Sequence, residues 1–521
     1  MNRIWKIPAR RLPSGCLAAA AALLLSACAG LPDLADRTVS GYIDTDSAPR
    51  LEAALPSERP SEKQEGQSGV YLLADPRDAF VARAMLIEHA DRSLDIAYYI
   101  WHGDVSGKML FQMLQRAAQR GVRVRLLLDD NNTRGMDDVL AALDAEDNIE
   151  IRLFNPFPHR KVRALGYLTD FPRLNRRMHN KSLTADNQYT IVGGRNIGDE
   201  YFNVTTDIGF ADLDVLAKGE VAEDVSRDFD RYWASGSSYP FFSIAPRADA
   251  EKGRLKLHRS RRDDAEIRAS YLDELAASPL AASISEGNVP WQYADARLIS
   301  DDPAKGLARD KELPAIADSL LEALGKPEKD VFIVSPYFVP SKWGMAALRD
   351  LTANNVKVTV LTNSLRATDV AAVHSGYARY RKDLLNAGVE LYEVKPDFAP
   401  PKIRDKGLTG SSATSLHAKT FVVDGKRVFI GSLNFDPRSA RLNTEMGMVI
   451  DHAGIAGDMR QELEKITPQY AYKVVMDKQR KRLRWQDPDR PDVLLKNEPD
   501  AGIWKRIISN IFSILPIEKL L

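Results

Sequence analysis

The stretch His417-Ala-Lys419-Thr-Phe-Val-Val-Asp424, continued by Gly431-Ser432-Leu433-Asn434, decides how this chain is read. Strand alternation puts His417 and Lys419, two residues apart, on one face of a sheet. Asp424-Gly425 reads as a tight hairpin turn and 427–430 as the returning strand. An imidazole beside an ammonium, with the Asn434 carboxamide brought back by the hairpin, suits a phosphate ester. The histidine attacks or protonates, while lysine and asparagine hold the non-bridging oxygens. One His-x-Lys pair also occurs on ordinary strand faces, so a single copy decides little.

A second copy, His179-Asn-Lys181-Ser-Leu-Thr-Ala-Asp186 followed by Gly193-Gly194-Arg195-Asn196, has the same spacing. In both copies histidine to lysine is 2 residues, lysine to aspartate 5, aspartate to the first glycine 7, and histidine to asparagine 17 (196−179 and 434−417). Four matched intervals make coincidence a poor explanation. At these residues the chain resembles the phospholipase D superfamily, whose signature is two His-x-Lys-x4-Asp motifs. The likeness runs from about Val70 to about Trp485 and is nearest to the C-type cardiolipin synthases of Gram-negative bacteria.

A chain of 521 residues is long for one core, so two packed domains are expected. Lys+Arg and Asp+Glu both number 72, so no global charge draws the protein to nucleic acid. Both cysteines lie in the first 28 residues, which excludes a disulfide framework or a cysteine-rich metal site. Residues 1–28 read as a lipoprotein signal peptide: Arg3, Lys6, Arg10 and Arg11 precede an apolar run, 16–25, too short for a comfortable membrane span. Leu25-Ser26-Ala27-Cys28 resembles a bacterial lipobox, which implies that Cys28 is acylated and becomes the mature N-terminus; the alternative is a plain secretory peptide cut near Ala27. Ala29 after the cysteine favours the periplasmic side of the outer membrane over the inner. Residues 29–68, rich in Pro, Ser, Glu and Asp, read as a flexible tether.

The order strand 93–100, helix 108–119, strand 122–129, strand 149–154 recurs as 331–339, 344–354, 356–361 and 389–394. The chain therefore reads as a duplication: an N-terminal lobe at 69–245, a connection at 246–290 and a C-terminal lobe at 291–485. The expected class is α/β, with mixed sheets sandwiched by helices. The resemblance implies one active site shared at a pseudo-twofold interface. In the tail, 486–521, Trp504, Ile507, Ile508, Ile511, Ile514 and Leu515 recur at helical spacing opposite Lys505, Arg506, Ser509, Asn510 and Ser513. Asp500 is placed to cap this helix, which lies in a bilayer interface or packs on the enzyme body, the first being preferred.

The superfamily forms a phosphohistidine. By that resemblance His179 is the expected nucleophile and His417 the general acid, with Lys181, Lys419, Asn196 and Asn434 on the phosphoryl oxygens. Each histidine needs an orienting partner on its other ring nitrogen. Glu445, just ahead of a strand, is one candidate. Its first-lobe counterpart is Asp207 by equal spacing or Asp212 by the strand that follows it, the second being preferred. Asp186 and Asp424 belong to the catalytic motif, yet they lie at the far end of the strands, where a structural role in the hairpin turn is expected. The remaining histidines, His89, His102, His159, His258, His374 and His452, show no metal-ligand spacing and read as ordinary residues, and the superfamily mechanism implies no metal or cofactor. A basic run, Arg160, Lys161, Arg163, Arg176 and Arg177, reads as an anionic-headgroup rim beside His179.

The function expected is transfer of a phosphatidyl group through histidine to the hydroxyl of a second phospholipid, as in cardiolipin synthases. Phosphatidylglycerol and phosphatidylethanolamine are the candidate lipids, and the membrane surface the partner. A phospholipase D hydrolase is the nearest alternative. A nuclease fits poorly with balanced charge, and a lipid-binding lipoprotein has no use for two matched histidines.

Overall fold

The structure is a computed structural model and describes residues 30–514, apart from 36, 46, 57–63, 65, 161, 205–207, 260–261, 308–315, 397–412 and 478. The signal-peptide reading and Cys28, the alternative Asp207, Lys161, and Leu515 of the tail helix lie outside the described residues.

Chain order in the first lobe runs β1 (Ser68–Leu73), β2 (Ser93–Tyr98), β3 (Arg123–Asp129), β4 (Ile149–Phe154), β5 (Ser182–Ala185), β6 (Tyr189–Gly193), β7 (Ile208–Ala211), β8 (Asp214–Lys218) and β9 (Ser238–Pro240). All but β7 pair into one mixed sheet in the order β1-β8-β6-β5-β2-β3-β4-β9, with only β2-β3 and β3-β4 parallel. The second lobe brings β10 (Gln292–Ser300), β11 (Asp330–Val334), β12 (Lys357–Asn363), β13 (Glu390–Val394), β14 (Ala413–Leu416), β15 (Thr420–Val423), β16 (Arg427–Gly431), β17 (Met446–Asp451) and β18 (Ala471–Asp477). Their order, β10-β17-β16-β15-β11-β12-β13-β18, has the same senses strand for strand. The duplication read from the repeated motifs and the recurring order of elements thus extends through both sheets.

The sheets join edge to edge through antiparallel β1-β10, and a short parallel ribbon, β7-β14, crosses between the lobes. Central strands are buried on both faces, as in β2 and β6: helices cover one side, and on the opposite side Val192 of β6 meets the other lobe while Asp95 of β2 pairs with Arg125 (2.7 Å). One apolar cluster is shared by the lobes: Val192 and Val215 pack with Val422, Ile430 and Met448. Each such side chain contributes roughly 1.5–3 kcal/mol on burial, so the lobes are held as one body.

Two expectations need correction. Part of the stretch read as a tether is packed on the first lobe: Leu51 and Leu55 are fully buried, Thr45 Oγ1 donates to Asp186 O (2.6 Å), and Arg37 donates to Ser235 O (2.6 Å). Its few apolar residues lack periodicity but are spaced to fill gaps on an existing surface. The connection 246–290 is likewise helical, and Leu257, Tyr271, Leu275 and Leu280 belong to the first lobe's own core.

Candidate active site

β5 runs against β2 with Ser182 opposite Ala97, so His179 lies beyond the carboxyl end of β2. β15 runs against β11 with Thr420 opposite Val334, which brings His417 to the same end of the second sheet. Both histidines are tied across the lobe boundary. His179 N–H donates to Thr444 O (2.9 Å) and His417 N–H to Ala211 O (2.8 Å). The side chains cross too: His179 Nδ1 is 2.8 Å from Glu445 Oε2, and His417 Nδ1 is 2.5 Å from Asp212 Oδ2. Each carboxylate holds its ring by Nδ1, which directs Nε2 to the reacting atom. Both imidazoles retain only 10% exposure.

The two pairs are built differently. Gly194 is the first-lobe counterpart of Ser432, and a Cβ at Gly194 would fall 2.1 Å from Asp212 Oδ1, so only glycine admits that carboxylate. In the second lobe Ser432 Oγ donates instead to Glu445 Oε2 (2.5 Å). Burial raises both carboxyls, but His417, Lys419 and Arg195 reverse the effect at Asp212, which ends well below the usual carboxylate range. At Glu445 burial prevails over Lys181 and Ser432, and its carboxyl is pushed up to about 7. The imidazoles respond accordingly. Burial, then Lys181 and Lys419, drives His179 well below its ordinary value, whereas burial and Lys419 at His417 are opposed by the Asp212 charge. Of the two rings, His179 is the more firmly held neutral and His417 the better able to carry a proton.

Lys181 and Lys419 are both buried; burial lowers Lys181 to about 7 and lowers Lys419 as well. Lys181 Nζ donates to His179 O (2.7 Å), and Lys419 Nζ lies 3.2 Å from His417 Nε2. The asparagines differ. Asn196 accepts from Ile100 N (3.2 Å) and donates to Tyr201 OH (2.9 Å), while the buried Asn434 carbonyl oxygen has no partner among the described residues. Asn196 is thus engaged in holding its loop, whereas no hydrogen bond among the described residues engages the Asn434 amide, and it is the N–H of that amide, not its carbonyl, that can donate to a phosphoryl oxygen.

Asp186 and Asp424 stand away from the chemistry. Asp186 accepts from the backbone N–H groups of Asp91, Arg92 and Ser93 (2.7, 2.7 and 2.8 Å), and Asp424 from those of Glu328, Lys329 and Asp330 (3.1, 2.7 and 3.1 Å). Each also takes a positive φ at its turn, 52° and 55°. These aspartates therefore secure the chain entering β2 and β11, a longer reach than the hairpin turn expected.

The basic rim also needs correction. Arg160 pairs with Asp130 and Asp137, Arg163 donates to Asp130 O (2.7 Å), and Arg177, 2% exposed, pairs with Asp129 (3.2 Å). Arg176 donates to Lys305 O and Arg441 O (3.0 Å each), which ties the lobes together. Buried aspartates and carbonyls distant in sequence claim these guanidinium forks, so they do not form an open anion-binding rim.

Sequence reasoning passed over the aromatic walls: Tyr99 meets His179 edge-on at 5.0 Å, and Tyr201 and Phe210 flank His417 at 5.4 and 5.2 Å. Tyr99, at the end of a β-rich run ahead of the motif, was the available signal. His102 is more than an ordinary surface residue. Its Nδ1 lies 3.2 Å from Glu200 and 3.9 Å from Asp104, a grouping that could ligate a metal. Asp104 already accepts from Gly107 N (3.0 Å) and Asp199 N (2.8 Å), capping the helix Val105–Gln119, so the arrangement reads as an ion pair.

Two matched lobes that share crossed histidine–carboxylate pairs define a phospholipase D-like phosphodiester-transferring protein. The family described as "Cardiolipin synthase, PLD-like domain" matches residues 84–233 and 320–467. The chain is 48% identical to cardiolipin synthase C of Escherichia coli over 91% of its own length and 100% of that protein's. It is 26% identical to the major cardiolipin synthase of Bacillus subtilis over 75% of this chain and 67% of that one. Among solved structures, phosphatidylserine synthase of Haemophilus influenzae has the same fold, with a TM-score of 0.56 at 13% identity, covering 91% of this chain and 99% of that one. The chain belongs to the cardiolipin synthase family of phospholipase D-like proteins.

Proposed function

We propose that this protein is a phosphatidyltransferase of the cardiolipin-synthase type, working through His179. The observation that carries the reading is the crossed pair of unequal dyads, one imidazole held neutral and the other beside an ionised carboxylate. His179 Nε2 attacks the phosphorus of phosphatidylglycerol. The bond to the glycerol oxygen breaks as His417 delivers its proton to that oxygen, and glycerol leaves. Lys181, Lys419 and Asn434 stabilise the charge on the non-bridging oxygens. The hydroxyl of a second phosphatidylglycerol then gives its proton to His417 and displaces His179, which yields cardiolipin. Phosphatidylethanolamine serves the same first step as an alternative donor, with ethanolamine leaving.

Purified protein given phosphatidylglycerol, with and without phosphatidylethanolamine, should form cardiolipin in excess over phosphatidic acid. Phosphatidic acid as the main product with ample acceptor lipid would decide for a hydrolase. The lipobox supports attachment through an acylated Cys28 on the periplasmic side of the envelope, the outer membrane being preferred. Cys28→Ser should abolish labelling by a palmitate analogue, and unchanged labelling would end that reading.

A further inference from the structure

Large apolar side chains on the surface are not spread evenly. Of the seventeen exposed ones among the described residues, ten lie on segments that follow the carboxyl ends of β4, β11 and β12, or on the C-terminal helix packed beside them. That is the end of both sheets where the histidines lie. Leu168 (83% exposed) and Phe171 (46%) follow β4, and Trp343 (53%) follows β11.

The C-terminal helix, Ile503–Ile514, is turned inside out relative to an ordinary surface helix, which buries its apolar stripe. Its polar side faces the protein. Ser509 is 6% exposed and its Oγ lies 3.0 Å from Ser375 Oγ, while Lys505 Nζ donates to Arg366 O (3.2 Å) and Thr368 O (2.9 Å). Its apolar side faces out, with Trp504 78% and Ile511 56% exposed. Asp500, expected to cap this helix, instead accepts from Tyr472 OH, and Glu498 pairs with Arg381 (2.5 Å); these contacts fix the approach to the helix. The loop that Lys505 holds continues to Asp369, which accepts from Tyr337 OH (2.8 Å) beside the end of β11.

We propose that this end of the molecule docks onto a phospholipid bilayer, with the C-terminal helix lying flat in the interface and the 165–171 segment and Trp343 touching down around the active-site mouth. This rests on the phosphatidyl-transfer reading. Lipid phosphates sit at headgroup depth, and imidazoles with 10% exposure reach them only if the mouth is brought to that depth. Trp504 suits the interface, where an indole keeps its ring apolar and its N–H wet. Twelve residues span about 18 Å, well short of a hydrocarbon core of about 30 Å, so the helix lies along the membrane. No described helix is long and apolar enough to cross one.

The test uses the full chain with phosphatidylglycerol presented in two ways: as vesicles bearing bromine-labelled acyl chains, and as a short-chain monomer. Vesicles should quench the tryptophan emission, and Trp504→Phe should lose part of that quenching. Ile507→Asp combined with Ile511→Asp should lower turnover on vesicles about tenfold while leaving monomer turnover within about twofold, since charges oppose interfacial insertion. Leu168→Asp, on the other lobe and already exposed, should behave alike without loss of packing. Equal losses on both substrates for Leu168→Asp, or quenching unchanged in Trp504→Phe, would overturn the proposal. So would vesicle turnover unaffected by the paired substitution while a dimer falls to monomer, which would assign the face to a second copy of the chain. No transfer by the unaltered protein from either substrate would instead refute the functional reading, and the quenching would still decide docking.

Discussion

Glu445 of the second lobe holds His179 of the first at 2.8 Å, and Asp212 of the first holds His417 of the second at 2.5 Å. Neither lobe contains a complete dyad, so neither has a working site alone. Asp212→Asn should perturb the Nδ1 resonance of His417 and leave that of His179 nearly unchanged; Glu445→Gln should do the reverse. Each should lower kcat by about 10³-fold, since a histidine deprived of its carboxylate loses both tautomer and orientation. Perturbation of the histidine in the same lobe would contradict the crossed arrangement.

The unequal dyads assign unequal roles. His417→Ala should regain its first step, at about a tenth or more of the normal rate, on a phosphodiester with a p-nitrophenol leaving group, because such a group departs without an acid. His179→Ala should remain inactive on it, having no nucleophile. Trapping of labelled phosphate on His179 in the His417→Ala protein measures this directly; label appearing on His417 would reverse the assignment.

The pH dependence follows from Glu445, raised to about 7, and Lys181, lowered to about 7. As the pH falls through 7, Glu445 takes a proton and stops supporting the charge that builds on His179. As it rises through 7, Lys181 loses its proton and its hold on the phosphoryl oxygens. A narrow bell in kcat/KM centred near pH 7 is expected, with apparent values that belong to the coupled set. Glu445→Gln should remove the acidic limb. A profile flat between pH 5 and 9 (a range of roughly two units either side, where each group's change would be complete) would rule out both roles.

Asp186 offers a test of structure against chemistry. Asp186→Ala leaves three backbone N–H groups without their acceptor and puts alanine at a positive φ, a loss of about 3 kcal/mol in chemical denaturation. Activity per folded molecule should stay within about twofold, as expected of a residue remote from the reacting atoms. Asp424→Ala should cost less, because that carboxylate is more exposed to water. A collapse in turnover with stability intact would return both aspartates to the catalytic set.

The sequence by itself determined the duplicated α/β architecture, the two hairpins and the four residues at their centre. Those features are local: a period of two sets which face His417 and Lys419 share, and a turn of fixed length returns Asn434 to them. It also marked Glu445 and Asp212, though not which histidine each serves. That choice was made only by the tertiary structure, because β7-β14 and the Met178–Thr444 bridge lay each motif against the segment before the other lobe's strand. The same distinction separates the arginines from the lysines. Arg160, Arg163 and Arg177 look like a solvent-facing basic run, but Asp129 and Asp130, about thirty to fifty residues earlier, are buried beneath them and must be neutralised. The amphipathic pattern of the last helix was legible, with Trp504, Ile507 and Ile511 on one side and Lys505 and Ser509 on the other. Which side it turns outward depends on Ser375 and the carbonyls of Arg366 and Thr368 offering polar partners, and those come together only in the folded chain.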